Sequence, residues 1–399
     1  MAEKIYSIAG IQLASTYAGI RKTQQDDLVL IALSDKTTTA AVFTRNAFCA
    51  APVVVAREHL QQVRPRYLLI NAGNANAGNG KQGHDDTLAC CQWLADETGC
   101  KRSEVLPFST GVIGESLPKE KFAKAIPDVC KNLNEGHWPP ASVGIMTTDT
   151  VAKVVSMQEE INGKKVTLTG IAKGSGMIRP DMATMLAFIA TDADVSSLVL
   201  QQCLQESVNH SFNRITVDGD TSTNDACVLM ATAESELSIH STDDKNYTLF
   251  QQLVQKACEA LARAIVKDGE GATKLINIVV SDGASERECL DVAYTIAHSP
   301  LVKTAFFASD PNWGRILAAV GRAGVNNIDL EAITIYLDDV CIVEQGGRSS
   351  SYTETRGQAV MDQSEITIKV NLARGKANAT VWSCDFSYDY VRINAEYRT

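Results

Sequence analysis

Segments of helical and strand periodicity alternate along the whole chain. His84–Gly99 carries Leu88, Cys91, Leu94 and Ala95 at helical spacing, with acids at its start, and reads as a helix. "KVVSMQEEINGKKVTLTGIA" is two strand-like runs either side of Asn162-Gly163, a pair that favours a type I′ hairpin turn. Residues 196–212 and 246–266 read as amphipathic helices. In the second, Leu249, Leu253, Ala257, Leu261 and Ile265 recur every four residues on one stripe. "KLINIVVSDG" follows as a buried strand, and Ser285 opens a further helix. The C-terminal part is mostly strand: "AITIYLDDVCIV", "EITIKVNL" and "NATVWSCDFSY", the last two joined by a turn at Arg374-Gly375-Lys376.

Sheets alternating with helices on their outer faces predict a layered α/β (α+β) architecture. A smaller α/β lobe is expected over residues 246–343, although no linker marks it. One stretch departs from simple patterning. In "GMIRPDMATMLAFIATDA" a turn-forming segment precedes the apolar run Met185–Ala190, and Thr184 stands at its mouth. A β-branched Thr suits a strand; a hydroxyl beside a tight loop also suits chemistry.

Length and charge narrow the partners. With 399 residues, 45% apolar and 21% charged, the chain is an ordinary globular protein able to bury a sizeable core. A net charge of −10 without any basic block argues against nucleic acid and against an anionic membrane surface. No run approaches the roughly 18 apolar residues of a membrane span. The start "MAEKIYSIAGIQLAS" alternates, unlike a signal peptide. The eleven cysteines are odd in number and lack a C-x-x-C pair, which suits buried thiols of a cytoplasmic protein.

The glycine-rich stretches do not fit nucleotide loops. "KDGEGATKL" lacks the Gly-Lys-Ser/Thr ending of a phosphate loop, and "NAGNANAGNG" lacks the G-x-G-x-x-G spacing. Asp218, Asp220 and Asp225 in "VDGDTSTND" lack the spacing and terminal Glu of a calcium loop, so no metal is expected. Thr/Gly turns recur instead at "STGVIG", "MTTDT" and "KGSGM", each where backbone N–H groups at a strand end can face a ligand.

Together these stretches resemble the ornithine acetyltransferase (glutamate N-acetyltransferase) family of arginine biosynthesis. The resemblance spans nearly the whole chain, through "TRNAFCAAPV", "NAGNANAGNG", "STGVIGE", "MTTDT", "KGSGMI", "MATML", "VDGDTSTND", "KDGEGATK", "SDPNWGR" and "INAEYRT". It implies an αββα-type sandwich like that of N-terminal-nucleophile enzymes. It also implies self-cleavage at Ala183–Thr184, giving an α segment of residues 1–183 and a β segment of residues 184–399. The freed Thr184 would then carry nucleophile and base together, because a peptide α-amine titrates near 7.7–8.0.

The implied reaction moves the acetyl group of N2-acetylornithine to Thr184 and then to glutamate. By the same resemblance, Thr110 and Gly111 form the oxyanion hole, and Thr147, Lys173, Thr184, Glu270, Asn394 and Thr399 contact substrate. Lys173 suits a substrate carboxylate and Glu270 the ornithine ammonium. The resemblance implies no cofactor, leaves open acetyl-CoA as a second donor, and suggests an assembly of two α and two β segments. Two other readings compete. One is a self-processing aminopeptidase of similar fold, which would release free acid. The other is an unprocessed binding or structural protein in which Thr184 is an ordinary strand residue. Without the resemblance, Lys173 reads as a Lys at a helix C-terminus, Glu270 as a loop acid, and Asn394 and Thr399 as disordered terminal residues.

Overall fold

The computed structural model describes residues 4–179 and 185–396. They form two compact units. One comprises the residues up to Asn213 together with Asp220–Ile265, the other Arg214–Gly219 together with the residues from Val266 onward.

The first unit is built on two sheets. One takes β1 (Ile11–Thr16), β2 (Leu28–Leu33), β4 (Tyr67–Asn74) and β5 (Val105–Val112) in that order, with β4 and β5 parallel. The other runs β3 (Thr38–Phe43), β10 (Ala226–Ala231), β8 (Leu186–Thr191), β7 (Lys164–Lys173), β6 (Lys153–Ile161), with β8 and β10 parallel. Alternation along each strand gives every sheet two apolar faces. Leu13, Ile31, Ile70 and Phe108 of the first sheet share a core with Ile171, Leu186, Phe188 and Val228 of the second. The rings of Phe108 and Phe188 meet edge to face at 5.1 Å, so the sheets stack face to face.

Helices cover both outer faces. Leu28, Leu30, Leu69 and Val105 pack against α1 (Ala51–Gln62), α2 (Gly80–Thr98) and α3 (Lys119–Lys131) through Val55, Leu94 and Ile126. Beyond the second sheet lie α5 (Ser197–Asn209) and α6 (Tyr247–Lys267). Gln201 of α5 bonds both the N–H and the carbonyl of Ala41 on β3. Cys258 of α6 neighbours Cys227 of β10. The order helix, sheet, sheet, helix is the αββα sandwich expected. α4 (Trp138–Gly144) and the short pair β9 (Asp194–Val195) and β11 (Ser238–Ile239) complete the unit.

The second unit is one sheet in the order β15 (Gly347–Arg348), β14 (Val340–Glu344), β13 (Thr334–Leu337), β16 (Glu365–Asn371), β12 (Leu275–Gly283), β17 (Ala377–Cys384). Ile278, Val280, Ile335 and Ile368 pack with α7 (Glu286–Ala297), α8 (Pro300–Phe307), α9 (Trp313–Gly321) and α10 (Glu354–Met361) through Ile296, Phe306, Ile316 and Met361. α11 (Tyr388–Ala395) follows. This unit differs in extent from the lobe expected over 246–343. β16 and β17 flank β12 on either side, so the sheet needs them, and α6 up to Ile265 belongs to the first unit.

Local signals held in several places. Asn162 and Gly163 have φ of 50° and 79°, the left-handed pair a type I′ turn requires. The Ser285 side chain accepts the Glu288 N–H, capping α7. The helix expected from His84 starts at Gly80, so Asp85 and Asp86 fall beyond its first turn, which holds no acid. On α6, Leu249 is 44% exposed, and Phe250 and Val254 are buried beside Leu253, Ala257, Leu261 and Ile265. The stripe is one residue wider than a strict four-residue repeat allows. All eleven cysteines are free thiols. Among the described residues no helix is long and apolar enough to cross a membrane.

Candidate active site

Two sequence motifs meet at the ends of β4 and β5. Gly73 of "NAGNANAGNG" pairs with Gly111 of "STGVIG", and a bulge at Asn74 sets that residue against both Thr110 and Val112. Gly73 and Gly111 have φ of 124° and 133°. A Cβ on Gly111 would lie 2.2 Å from the Gly73 carbonyl carbon, so the two backbones approach as only glycine permits. Asn224 locks this bend. Its Nδ2 donates to the carbonyls of Ala75 and Ser109, at 2.5 and 3.0 Å. Asn71 adds a second tie, donating to the Asn74 carbonyl and accepting the Ser109 hydroxyl.

Thr110 and Lys173 face each other at this bend. The Lys173 Nζ donates to Thr110 Oγ1 at 3.0 Å, and both side chains are buried. Lys173 ends strand β7, where it pairs with Leu186 of β8; it does not end a helix.

Thr147 is joined to Lys173 through a residue the sequence reading missed. The buried Asp149 carboxylate accepts the Thr147 N–H at 3.0 Å, the Gly174 N–H at 2.7 Å and the Lys153 ammonium at 2.7 Å. Burial pushes its pKa up, but Lys173, Lys153 and the Gly174 N–H outweigh burial and hold the carboxyl below its usual range. The hydroxyls of Thr148 and Ser175 share a hydrogen bond at 2.7 Å, a second tie between "MTTDT" and "KGSGM". Asp225 is the opposite case. Burial raises its carboxyl well above the ordinary value, Ser222 and Lys173 offset little of this, and Oδ2 is buried without a partner. A sequence gives little sign of either role, since both acids sit in polar stretches that resemble solvated loops.

Glu270 and Asn394 form a pair of their own in the second unit. Asn394 Nδ2 donates to Glu270 Oε2 at 2.8 Å and to the Tyr390 carbonyl at 3.0 Å. Glu270 is a loop acid, in the turn between α6 and β12, but a buried one, and Asn394 lies on α11, so it is not a disordered tail residue. Gly271 brings the motif and helix together. Its φ is 69°, and a Cβ there would lie 2.6 Å from the Tyr390 N and the Ser387 Oγ.

Ala183, Thr184 and Thr399 lie outside the described residues. The chain just beyond Thr184 is firmly held. Met185 is 3% exposed, its carbonyl accepts the Ala226 N–H at 3.0 Å, and it directly precedes the wholly buried strand β8. Among the described residues no cluster of His, Cys, Asp and Glu is placed to hold a metal ion.

A model of the ArgJ family matches residues 12–399. The chain belongs to the ArgJ family. Two relatives, each named "Arginine biosynthesis bifunctional protein ArgJ", extend the match. The Methylococcus capsulatus protein is 55% identical over 99% of this chain and 97% of its own length. The Pseudomonas fluorescens protein is 51% identical over 99% and 98%. A crystal structure of the Bacillus halodurans protein of the same name aligns with a TM-score of 0.51 at 42% identity. It covers 53% of this chain and 99% of that one. The motifs that converge at Thr110, Gly111 and Lys173 thus lie within the ArgJ match.

Proposed function

We propose that this chain is the acetyltransferase of arginine biosynthesis that moves the acetyl group of N2-acetylornithine to glutamate, through an acetyl ester on Thr184. Thr184 Oγ attacks the acetyl carbonyl while its freed α-amine takes the hydroxyl proton. The tetrahedral oxyanion is held by the Thr110 hydroxyl and the Gly111 N–H, and collapse expels ornithine as the amine returns the proton. Glutamate then attacks the ester through its α-amine, giving N-acetylglutamate and restoring Thr184. Thr147, Lys173, Glu270, Asn394 and Thr399 bind the two amino acids.

The observation that carries this reading is family membership along 388 of the residues, with relatives more than 50% identical and named for arginine biosynthesis. The buried Lys173–Thr110 contact beside Gly111 supports it chemically. Self-cleavage before Thr184 is supported by the Bacillus halodurans chain, which matches over nearly its full length yet spans about half of this one. The relatives' name "bifunctional" favours acetyl-CoA as a second donor to glutamate. An assembly of two α and two β segments, working in the cytoplasm without a cofactor, completes the proposal.

Intact mass of freshly expressed protein tests the processing: fragments of residues 1–183 and 184–399 are expected, and Thr184→Ala should remain one chain. Incubation with N2-acetylornithine and glutamate tests the transfer. Release of free acetate alone would favour the aminopeptidase reading, and a single uncleaved, inactive wild-type chain the binding-protein reading.

A further inference from the structure

We propose that Arg21 is a positioning residue of this site, clamping the Met146–Thr147 turn to the backbone bend at Gly73 and Gly111. The proposal depends on the acetyl-transfer reading only for the contact between Thr147 and substrate.

The clamp begins at a buried acid. Asp27 is fully buried, and its carboxylate accepts the N–H groups of Ala18, Ile20 and Arg21 at 2.7, 2.6 and 3.0 Å. Its carbonyl accepts the Ala72 N–H at 2.9 Å, which fixes the 18–21 loop on β4 one residue before Gly73. The Arg21 backbone then lies directly on Gly73, where a Cβ would come within 3.0 Å of the Arg21 N. Gly73 is in turn the residue that Gly111 touches. Three stretches of backbone are stacked at the bend.

The guanidinium reaches from this stack to the substrate turn. Nη1 donates to the Met146 carbonyl at 3.0 Å, and Nη2 donates to the Asp26 carbonyl. Met146 is followed by Thr147, whose own N–H is held by Asp149. Behind the turn, Gly144 of α4 is packed so closely that a Cβ would lie 2.6 Å from Val29 Cγ2. Arg21 is therefore a side-chain tie from the Thr147 turn to the bend that carries Gly111. A planar fork can serve two carbonyls at fixed separation, which a lysine ammonium does less well.

Arg21→Met keeps the packed stem and removes the donors. In the full, processed chain it is expected to raise KM for N2-acetylornithine about tenfold with kcat within threefold of wild type, the pattern of lost uniform binding. Arg21→Lys should show a smaller rise. A folded Met variant with wild-type KM for both substrates would overturn the proposal. If the Met variant does not fold, the Lys variant decides by the same criterion. Should the wild-type chain transfer no acetyl group, the acetyl-transfer reading fails by itself. The clamp is then read from stabilisation of the fold by added ornithine, which must be weaker in Arg21→Met than in wild type.

Discussion

Lys173 donates a hydrogen bond to Thr110, and this fixes what the threonine hydroxyl can do. An ammonium has no lone pair, so the Thr110 oxygen must accept, and its own proton is left to be donated elsewhere. That is the polarity an oxyanion donor needs. Lys173 is then expected to act partly through Thr110. Losing a single oxyanion donor costs roughly 10²–10³ in kcat. Thr110→Ala and Lys173→Met should each lower kcat, and the double variant should be within about threefold of Thr110→Ala alone. Steady-state kinetics of the three variants measure this. Effects that multiply fully would show that Lys173 works on substrate independently of Thr110.

The bend itself leaves no room for a side chain. Gly111 has a φ of 133°, and a Cβ would sit 2.2 Å from the Gly73 carbonyl carbon and 2.6 Å from the Asn74 N. Both contacts are backbone, which cannot swing aside. Gly111→Ala is expected to cost about 3 kcal/mol or more of stability and to abolish transfer. Urea denaturation and an acetyl-transfer assay on the same sample report the two effects. A variant with normal stability and turnover would mean the bend opens freely.

Much of the architecture was legible because it depends on short-range rules. Asn162-Gly163 specified its turn, Ser285 its cap, and the apolar run after Thr184 its buried strand. Glu270 and Asn394, 124 residues apart, were legible only through family motifs, since periodicity says nothing about which loops meet. Asp149, Asn224 and Arg21 were missed for a related reason. Each acts by bonding backbone groups of another segment, and a side chain that holds a distant carbonyl or N–H leaves no local pattern. The outline of the second unit was misjudged because its sheet is completed by the last two strands.

Asp225 offers a test in pH. An unfolded aspartate titrates near 4, whereas burial keeps the native Asp225 protonated to higher pH. Between those values the folded chain binds the extra proton, so stability contributed at this position falls as pH rises. Asparagine carries no such proton. Asp225→Asn should therefore gain on wild type as pH rises from 5 to 8, by at most about 1.4 kcal/mol per unit, until the native pKa is passed. Denaturation midpoints across that range provide the measurement. A difference that does not change with pH would show that Asp225 is ionised in the fold.

Glu270→Gln offers a test that separates the two half-reactions. The Glu270 carboxylate is buried and accepts one hydrogen bond from Asn394 through Oε2. If the acid pairs with the side-chain ammonium of ornithine, replacing it should weaken the cationic substrate far more than the anionic one. Glu270→Gln keeps the shape and an acceptor oxygen for Asn394, but removes the charge. Breaking one partner of a buried charge pair costs about 3–5 kcal/mol at the extreme, and solvent at the site reduces this. A rise of tenfold or more in KM for N2-acetylornithine is expected, with KM for glutamate within threefold or lowered. Asn394→Ala should raise both, because Asn394 is itself proposed to bind each amino acid besides holding Glu270. An equal rise for the two substrates in Glu270→Gln would assign the residue to their shared α-carbon groups instead of the ornithine side chain.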